Sequence, residues 1–503
     1  MTGVDLTILL AMAAEGLPNG LAVGSLAAPV TFGELLVSAQ QVGAAVKRLG
    51  FRRVVHLAQN SNLLPSLLFG SAEAGVPFVP LNYRLSDDRL RALLGRVAPA
   101  LLVVEDEMRH RATGIDGLAV FTTSEFQALA SAETRVGLAP VDPEAVALQL
   151  FTSGTTGDPK AAVLRHRHLT SYVVSTVEFL GAGPGSAALV SVPSYHIAGM
   201  AAILTSVYGG RRLVYLPQFD PQTWVDVVVD ESITHAMVVP TMLTRILDVI
   251  EARGEQLPGL KHLAYGGGRM PVGVLERALT LLPAVGLVNA YGLTETASTI
   301  AILGPDEHRA AFASNDPLVR CRLGSVGRPL PSLELEIRGP DGVALPPGER
   351  GEIVVRGEQI SGEYLDSSTP GDSGWFATKD AGWVDVDGFL FVDGRLDDVI
   401  VRGGENMSPG EIEDVLVAHP AVADAGVIGI PDDEWGEAIA AAVVLVAGAE
   451  ASVGELQRWV HERLRSSKTP AVIEFRDALP YNETGKLLRR QLRLEMGSQR
   501  ESA

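Results

Sequence analysis

The ten residues Phe151–Lys160, FTSGTTGDPK, gather the groups that a polyphosphate needs from a loop. Thr152, Ser153, Thr155 and Thr156 supply hydroxyl donors. Gly154 and Gly157 let backbone N–H groups turn toward an anion with no side chain in the way. Lys160 adds a compact positive charge. The spacing is not that of a GxxxxGK[ST] loop, because TTGDP separates Gly154 from Lys160 and Ala161 follows the lysine. A polar surface loop has a similar composition, so the rest of the chain has to decide between the two.

Further segments carry groups of the same kind. Ser191–Met200, SVPSYHIAGM, sets Tyr195 and His196 after a proline-marked turn, where a packed or solvated histidine is the plainer reading. Tyr265–Met270, YGGGRM, is a glycine run at the end of an apolar strand. It lets a flat ring or a phosphate approach the backbone, and it also suits a simple strand-end turn. Asn289–Glu295, NAYGLTE, offers an aromatic face at Tyr291, a hydroxyl at Thr294 and a carboxylate at Glu295. A carboxylate beside polyphosphate makes sense when Mg2+ sits between them, since Mg2+ takes one or two carboxylates plus phosphate oxygens. Phe376–Asp380, FATKD, and Asp393–Asp398, DGRLDD, place carboxylates and Arg395 together, as a ribose clamp or as solvated hairpin turns. In Asn482–Lys486, NETGK, Lys486 follows a flexible glycine on a loop able to reach a distant site.

The elements that must position these groups alternate in type. Thr31-Phe32-Gly33-Glu34 is a capping-box pattern; Leu35, Ala39, Val42, Val46 and Leu49 then share one helical face, and Gly50 ends it. Val54–Leu57 and Val76–Pro80 read as strands flanking a helix at Ser61–Ala74, a β-α-β unit with parallel strands. The alternation recurs through a strand at Leu213–Leu216, a helix at Pro221–Glu231, a strand at Ala236–Val239 and a helix at Thr241–Arg253. After about residue 324 the pattern changes. Leu333–Ile337 alternates with period two, and turn signals follow at Pro340-Asp341-Gly342, Pro347-Gly348, Asp387-Gly388 and Asp393-Gly394. These features predict a small antiparallel β section, in the manner of a small barrel.

The fold class expected is α/β: a large N-terminal domain of parallel α/β subdomains plus the antiparallel section, then a small mobile α+β C-terminal domain. Residues 1–394 form the first, 395–398 a hinge and 399–503 the last. A chain of 503 residues allows about three domain-sized units. A net charge of −19 argues against a nucleic-acid or anionic-membrane binder, though a local positive cluster can still hold a nucleotide. Cys321 is the only cysteine, so there is no intrachain disulfide framework. The N-terminus makes a poor signal peptide, Ala438–Ala449 is too short to span a bilayer, and the last three residues are not a peroxisomal address. A cytoplasmic protein without an integral membrane segment is expected.

Taken in order, FTSGTTGDPK, NAYGLTE, GRLDDVIVRGGENMSPGEIE and TGK resemble the signature of the adenylate-forming superfamily, which comprises acyl- and aryl-CoA synthetases, adenylation domains and luciferases. The resemblance runs from about residue 20 to 490 and is closest to an acyl-CoA synthetase. It implies a two-step ligase. A carboxylate oxygen attacks the α-phosphorus of ATP and releases pyrophosphate; the thiol of CoA then attacks the acyl carbonyl and releases AMP. The implied co-substrates and cofactors are a small-molecule carboxylic acid, ATP, Mg2+ and CoA. The loop residues Thr152 to Gly157 and Lys160 would hold the β- and γ-phosphates. Thr294 would contact the α-phosphate, Glu295 would bind Mg2+, and Gly267, Gly268 and Tyr291 would flank adenine. Asp380, with Arg395, would hold the ribose, and Lys486 would bridge the nascent carboxylate–phosphate bond. Thr294, Glu295, Lys486 and His196 thus form the catalytic set. A turn about Asp397 would withdraw Lys486 and bring the 402–406 loop, with Gly403 and Gly404, to the thiol's path. The chain departs from the family pattern at Ala161, at Arg269 where proline is frequent, and at Lys379 where glycine is usual.

The same resemblance implies an acid pocket walled by Tyr195, His196, Met200, Val239, Pro240, Thr241, Tyr265 and Gly266. Amino-acid-activating members carry an aspartate near positions 195–196, and an unpaired buried ammonium is costly. Tyr195-His196 supplies no such partner, so a fatty, cyclic or aromatic acid with an uncharged body is expected. The rival readings are an adenylate-forming ligase that loads a carrier protein, an oxygen-dependent luciferase, and a non-catalytic nucleotide-binding scaffold. A homodimer is compatible with any of them.

Overall fold

The computed structural model describes residues 4–134, 140–152, 160–365, 374–403, 405–432, 434–481 and 487–500. The expected sites Ser153, Gly154, Thr155, Thr156, Gly157, Gly404 and Lys486 lie outside them.

Two large mixed sheets carry about the first two-thirds of the chain. In the seven-stranded sheet, Val54–Leu57 lies between Phe78–Pro80 and Ala100–Val104, parallel to both. All four residues of Val54–Leu57 are buried, as a strand covered by helices on both faces must be. The helix that returns the chain is Leu64–Glu73, so the β-α-β unit forms as expected with a later helix start. In the nine-stranded sheet, Ala187–Val190, Arg212–Tyr215, His235–Val238, His262–Gly266 and Gly286–Leu293 are mutually parallel neighbours.

Local signals act as their chemistry requires. The Thr31 side chain accepts from the Glu34 backbone N–H, the Glu34 carboxylate accepts from Thr31, and the helix Phe32–Leu49 ends on Gly50 at φ +74°. The period-two strand is Glu334–Arg338, displaced by one residue from the expectation. It pairs antiparallel with Gly351–Arg356, which pairs with Phe376–Val384, which pairs with Leu390–Arg395. The strands follow one open order, and among the described residues no pairing of the first with the last closes a barrel.

Past residue 399 the chain forms a short hairpin, Ile400–Arg402 with Glu405–Met407, and a separate three-stranded sheet of Val422–Asp432, Gly436–Leu445 and Val472–Phe475. Its two hydrophobic clusters draw only on residues from Ile400 onward, centred on Ile412, Val427, Ala441 and Val460, and on Ile430, Ala440 and Leu492. The clusters of the preceding chain contain no residue beyond Val392.

Burial holds several histidines neutral. His56, His166 and His196 are pushed down to about 4, and His168 and His235 to about 3, in each case chiefly by desolvation. Each folded-state value lies below the 6.5 of an unperturbed histidine, so the unfolded chain takes up protons first as pH falls. The stabilisation is complete above about pH 6.5 and is lost progressively toward pH 4. Each tenfold difference in proton affinity between the unfolded and folded chain corresponds to about 1.4 kcal/mol. Thermal unfolding midpoints measured from pH 7.5 to 4.5 should therefore fall steeply below pH 6.5. A flat profile would show that these side chains find solvent.

Candidate active site

Thr152 ends the strand Val146–Thr152 and Lys160 begins the strand Lys160–Arg165; the two residues are paired across this antiparallel hairpin. The polar loop is thus the hairpin's connection, and its lysine has a fixed backbone position. The short strand Glu363–Tyr364 adds to the other edge of Lys160–Arg165, with Tyr364 opposite Ala162. This pairing brings the Tyr364 ring under Lys160, whose Nζ lies 5.5 Å from the ring centroid. The Tyr364 hydroxyl donates to Glu295 Oε1 at 2.5 Å. Glu295 is itself buried, and its backbone carbonyl accepts from the N–H groups of Ser361 and Gly362. Lys160, Tyr364 and Glu295 therefore form one chain of contacts joining the foot of the polar loop to the carboxylate. Sequence reasoning missed Tyr364. It stands about 200 residues from Lys160, and only strand pairing makes them neighbours.

Glu295 follows Thr294 in a single 3-10 turn that ends the strand Gly286–Leu293. Ala297 and Ser298 then take φ of +54° and +116°, a strained turn that reverses the chain into Ser298–Leu303. One buried carboxylate that keeps acceptor capacity beside a phosphate-type loop fits Mg2+, which draws its remaining ligands from phosphate and water. Mg2+ held by Glu295 would neutralise charge on the phosphates.

The residues expected to hold the ribose meet across two strands. Asp380 and Arg395 are cross-strand partners of Phe376–Val384 and Leu390–Arg395. Arg395 Nε lies 3.2 Å from Asp380 Oδ1, and the Tyr291 hydroxyl donates to Asp380 Oδ2 at 2.6 Å. Arg395 Nη1 also donates to the Thr378 carbonyl at 2.7 Å. Burial, then the Asp380 charge, hold the Tyr291 hydroxyl well above its ordinary titration range, so it remains a donor. Lys379 sits at φ +61° beside a β-bulge. This left-handed conformation suits the glycine that the family usually places there, and lysine adopts it at a cost of roughly 1–2 kcal/mol.

The glycine run has two separate reasons. A Cβ on Gly266 would lie 2.5 Å from the Ala290 carbonyl oxygen, so this glycine is required by the approach of two strands. Gly267 takes φ +79° in the exposed turn that follows, and Gly268 is half-buried beside it.

The acid-pocket residues divide. His196 caps the helix Ile197–Gly209; its ring lies 4.6 Å from that of Tyr195, which packs edge-on against Tyr83 at 5.7 Å. His196 Nε2 is buried with no hydrogen-bond partner among the described residues. Burial, with the Arg84 charge second, keeps this imidazole neutral. Val239 and Thr241 line a cavity of about 180 Å³ together with Asn60, Tyr83, Arg84 and Arg245. Pro240 stands between Val239 and Thr241 as the first residue of the helix Pro240–Arg253. Met200 is buried in the core of the first half of the chain. Tyr265 turns into the second core, where its hydroxyl meets His308 Nε2 at 2.8 Å. The arginines at the cavity were not singled out in the sequence, because neither stands in a motif.

The paired Asp380 and Arg395, the hairpin that ends at Lys160 and the neutral His196 suit an acid-activating ligase, and comparison with known proteins places the chain among such enzymes. The profile of the AMP-binding enzyme family matches residues 10–365, and that of the AMP-binding enzyme C-terminal domain matches residues 411–486. The chain belongs to this family of adenylate-forming enzymes and is of the acyl-CoA synthetase type. It is 33% identical to a fatty acid–[acyl-carrier-protein] ligase of Streptomyces coeruleorubidus, over 92% of this chain and 91% of that one. It is also 33% identical to a feruloyl-CoA synthase of an Amycolatopsis species, over 95% and 96% of the two chains. The structure of Bacillus subtilis o-succinylbenzoate CoA synthetase with its acyl-adenylate superposes with a TM-score of 0.84, at 29% identity, covering 98% of both chains.

Proposed function

We propose that this ligase activates a small carboxylic acid with an uncharged fatty, cyclic or aromatic body and transfers the acyl group to CoA. The observation that carries the reading is the joining of Lys160 to Glu295 through Tyr364, within a chain that also pairs Asp380 with Arg395 and Tyr291. In the first step a carboxylate oxygen of the acid forms a bond to the α-phosphorus of ATP and the bond to pyrophosphate breaks. Positioning and charge neutralisation dominate such a displacement. The polar loop with Lys160 holds the outer phosphates, Thr294 the α-phosphate, Asp380 and Arg395 the ribose, and Lys486 the forming bond. Mg2+ at Glu295 supplies further positive charge. In the second step the CoA thiol adds to the acyl carbonyl, the thiol proton is lost and AMP departs. Neutral His196 can accept or donate one hydrogen bond beside the reacting carbonyl.

Residues 399–503 form the smaller mobile unit, and the hinge is Asp397, in the turn Leu396–Asp398 between the last strand of the body and the hairpin. The separation of the hydrophobic clusters on either side of this turn supports the division. A cytoplasmic location is supported by the single exposed cysteine, which suits a reducing compartment.

A carrier protein as acceptor is the second reading, favoured by the relative that serves one. Pyrophosphate release should be measured with long-chain, alicyclic and cinnamic-type acids and with an aromatic dicarboxylate, each with CoA, with a phosphopantetheinylated carrier protein, or with neither. Thioester formation on free CoA with a monocarboxylate is the expected result. Transfer to the carrier alone would replace the CoA reading, and dependence on the second carboxylate would overturn the uncharged body.

A further inference from the structure

Lys160 and Glu295 serve one polyphosphate with opposite charges. Lys160 has to keep its ammonium for phosphate oxygens, and Glu295 has to keep an oxygen for Mg2+. Opposite charges in one site attract each other, and a direct pair would take both groups from their tasks. Among the described residues neither side chain is in an ion pair. The side chain that touches both is Tyr364. Its ring offers a face to Lys160 Nζ, 5.5 Å from the centroid, and its hydroxyl, at the ring's edge, donates to Glu295 Oε1 at 2.5 Å. Glu295 Oε2 accepts from no described residue. One carboxylate oxygen is held and the other is left for a ligand.

The strand Glu363–Tyr364 is fixed independently of that ring. Successive strand side chains alternate in direction, so Glu363 leaves Tyr364 on the other face. Glu363 accepts from Arg165 Nε at 3.0 Å and from Arg165 Nη2 at 2.8 Å. The Leu365 N–H donates to the Ala161 carbonyl at 2.9 Å, and the Ser361 hydroxyl donates to the Val163 carbonyl. The N–H groups of Ser361 and Gly362 donate to the Glu295 carbonyl at 2.9 and 3.1 Å. The segment is thus tied to the strand of Lys160 and to the turn of Glu295 by contacts that the tyrosine side chain does not make. Those ties remain when the side chain is replaced.

We propose that Tyr364 is a spacer that keeps Lys160 and Glu295 from pairing with each other, so that the ammonium stays available to phosphate and the second carboxylate oxygen to Mg2+. Tyr364 is a positioning residue, acting through Lys160 and Glu295. The proposal rests on the ligase reading above. An aromatic face suits the task because the ring quadrupole attracts the ammonium without neutralising it. The two functions of the side chain are separable: phenylalanine keeps the face and loses the hydroxyl, and leucine loses both.

The test measures ATP binding to the full-length enzyme by calorimetry, in a chelator and across a Mg2+ titration. Tyr364→Leu should weaken metal-free ATP binding by about two- to fivefold, because Lys160 then pairs with Glu295. Tyr364→Phe should leave metal-free binding within about twofold of wild type. Both variants should raise, by about tenfold, the Mg2+ concentration at which the metal's effect on ATP affinity is half-complete. Glu295→Gln should strengthen metal-free binding more in the Tyr364→Leu background than alone, by the same two- to fivefold, since an amide does not hold the lysine. A merely structural tyrosine would lower the unfolding temperature, weaken ATP binding equally with and without Mg2+, and give an additive cycle. An additive cycle, wild-type metal-free binding in Tyr364→Leu, or an unchanged Mg2+ requirement in both variants overturns the spacer. Wild-type enzyme that binds ATP but releases no pyrophosphate with any acid would refute the ligase reading alone, because the binding cycle still reads the spacer. Wild-type enzyme that binds no ATP would overturn both.

Discussion

Lys486→Ala should lower the rate of adenylate formation by about 10²–10³-fold while leaving thioester formation from supplied acyl-adenylate within a few-fold of wild type. The first step brings an anionic carboxylate against the α-phosphoryl oxygens, which carry negative charge through the transition state. A single preorganised cation at that position is worth several kcal/mol of transition-state stabilisation. A lysine at the reference pKa of about 10.4 is protonated at neutral pH, as the role demands. The flanks of the lysine's loop are anchored. Tyr481 and Leu487 form an antiparallel bridge, Leu488 N–H donates to the Pro480 carbonyl at 2.8 Å, and the Tyr481 hydroxyl donates to Asp424 at 2.9 Å. Single-turnover assays of the two half-reactions read the split. Equal loss in both would mean that Lys486 is not withdrawn between them.

The second large effect is expected at the ribose clamp. Asp380→Ala should reduce kcat/KM for ATP by about 10²-fold, mostly through KM, because it removes a charged acceptor and strands two half-buried donors. Asp380 is 8% exposed and serves Tyr291 and Arg395 at once. Its loss leaves the Tyr291 hydroxyl and part of the Arg395 fork without their acceptor, at about 1–3 kcal/mol for an uncharged group and more for a charged one. The same variant should therefore unfold at a lower temperature. Asp380→Asn separates the two effects, since it keeps an acceptor for Tyr291 but loses the charge facing Arg395. An unchanged KM for ATP in both variants would remove the ribose from this carboxylate and leave Asp380 as a structural tie between strands.

Much of this molecule is legible from short-range chemistry. The capping box at Thr31 and Glu34, the stop at Gly50 and the β-α-β alternation all appear as expected, because each depends on residues within a few positions of one another. The ordered motifs pointed to the nucleotide chemistry, and the structure brings Tyr291, Asp380 and Arg395 into one contact although 89 residues separate the first two. Elsewhere the motif could not say which way a side chain turns. Tyr265 stands at the end of its strand, but its hydroxyl goes to His308 in the core, and Gly266 is required by the Ala290 backbone next to it.

What the amino-acid order alone determined is the class of chemistry and the local elements, since both reside in residue types at fixed short spacings. Only the tertiary structure decided which distant groups meet: Tyr364 with Lys160 and Glu295, His196 with Arg84 as its neighbouring charge, and Arg269 with Asp414. These contacts span between 69 and about 200 residues in sequence and depend on strand register and on how two separately cored units face each other. A one-residue slip of Glu363–Tyr364 along its neighbour would turn Tyr364 to the opposite face of the sheet and dissolve the link, with no motif altered.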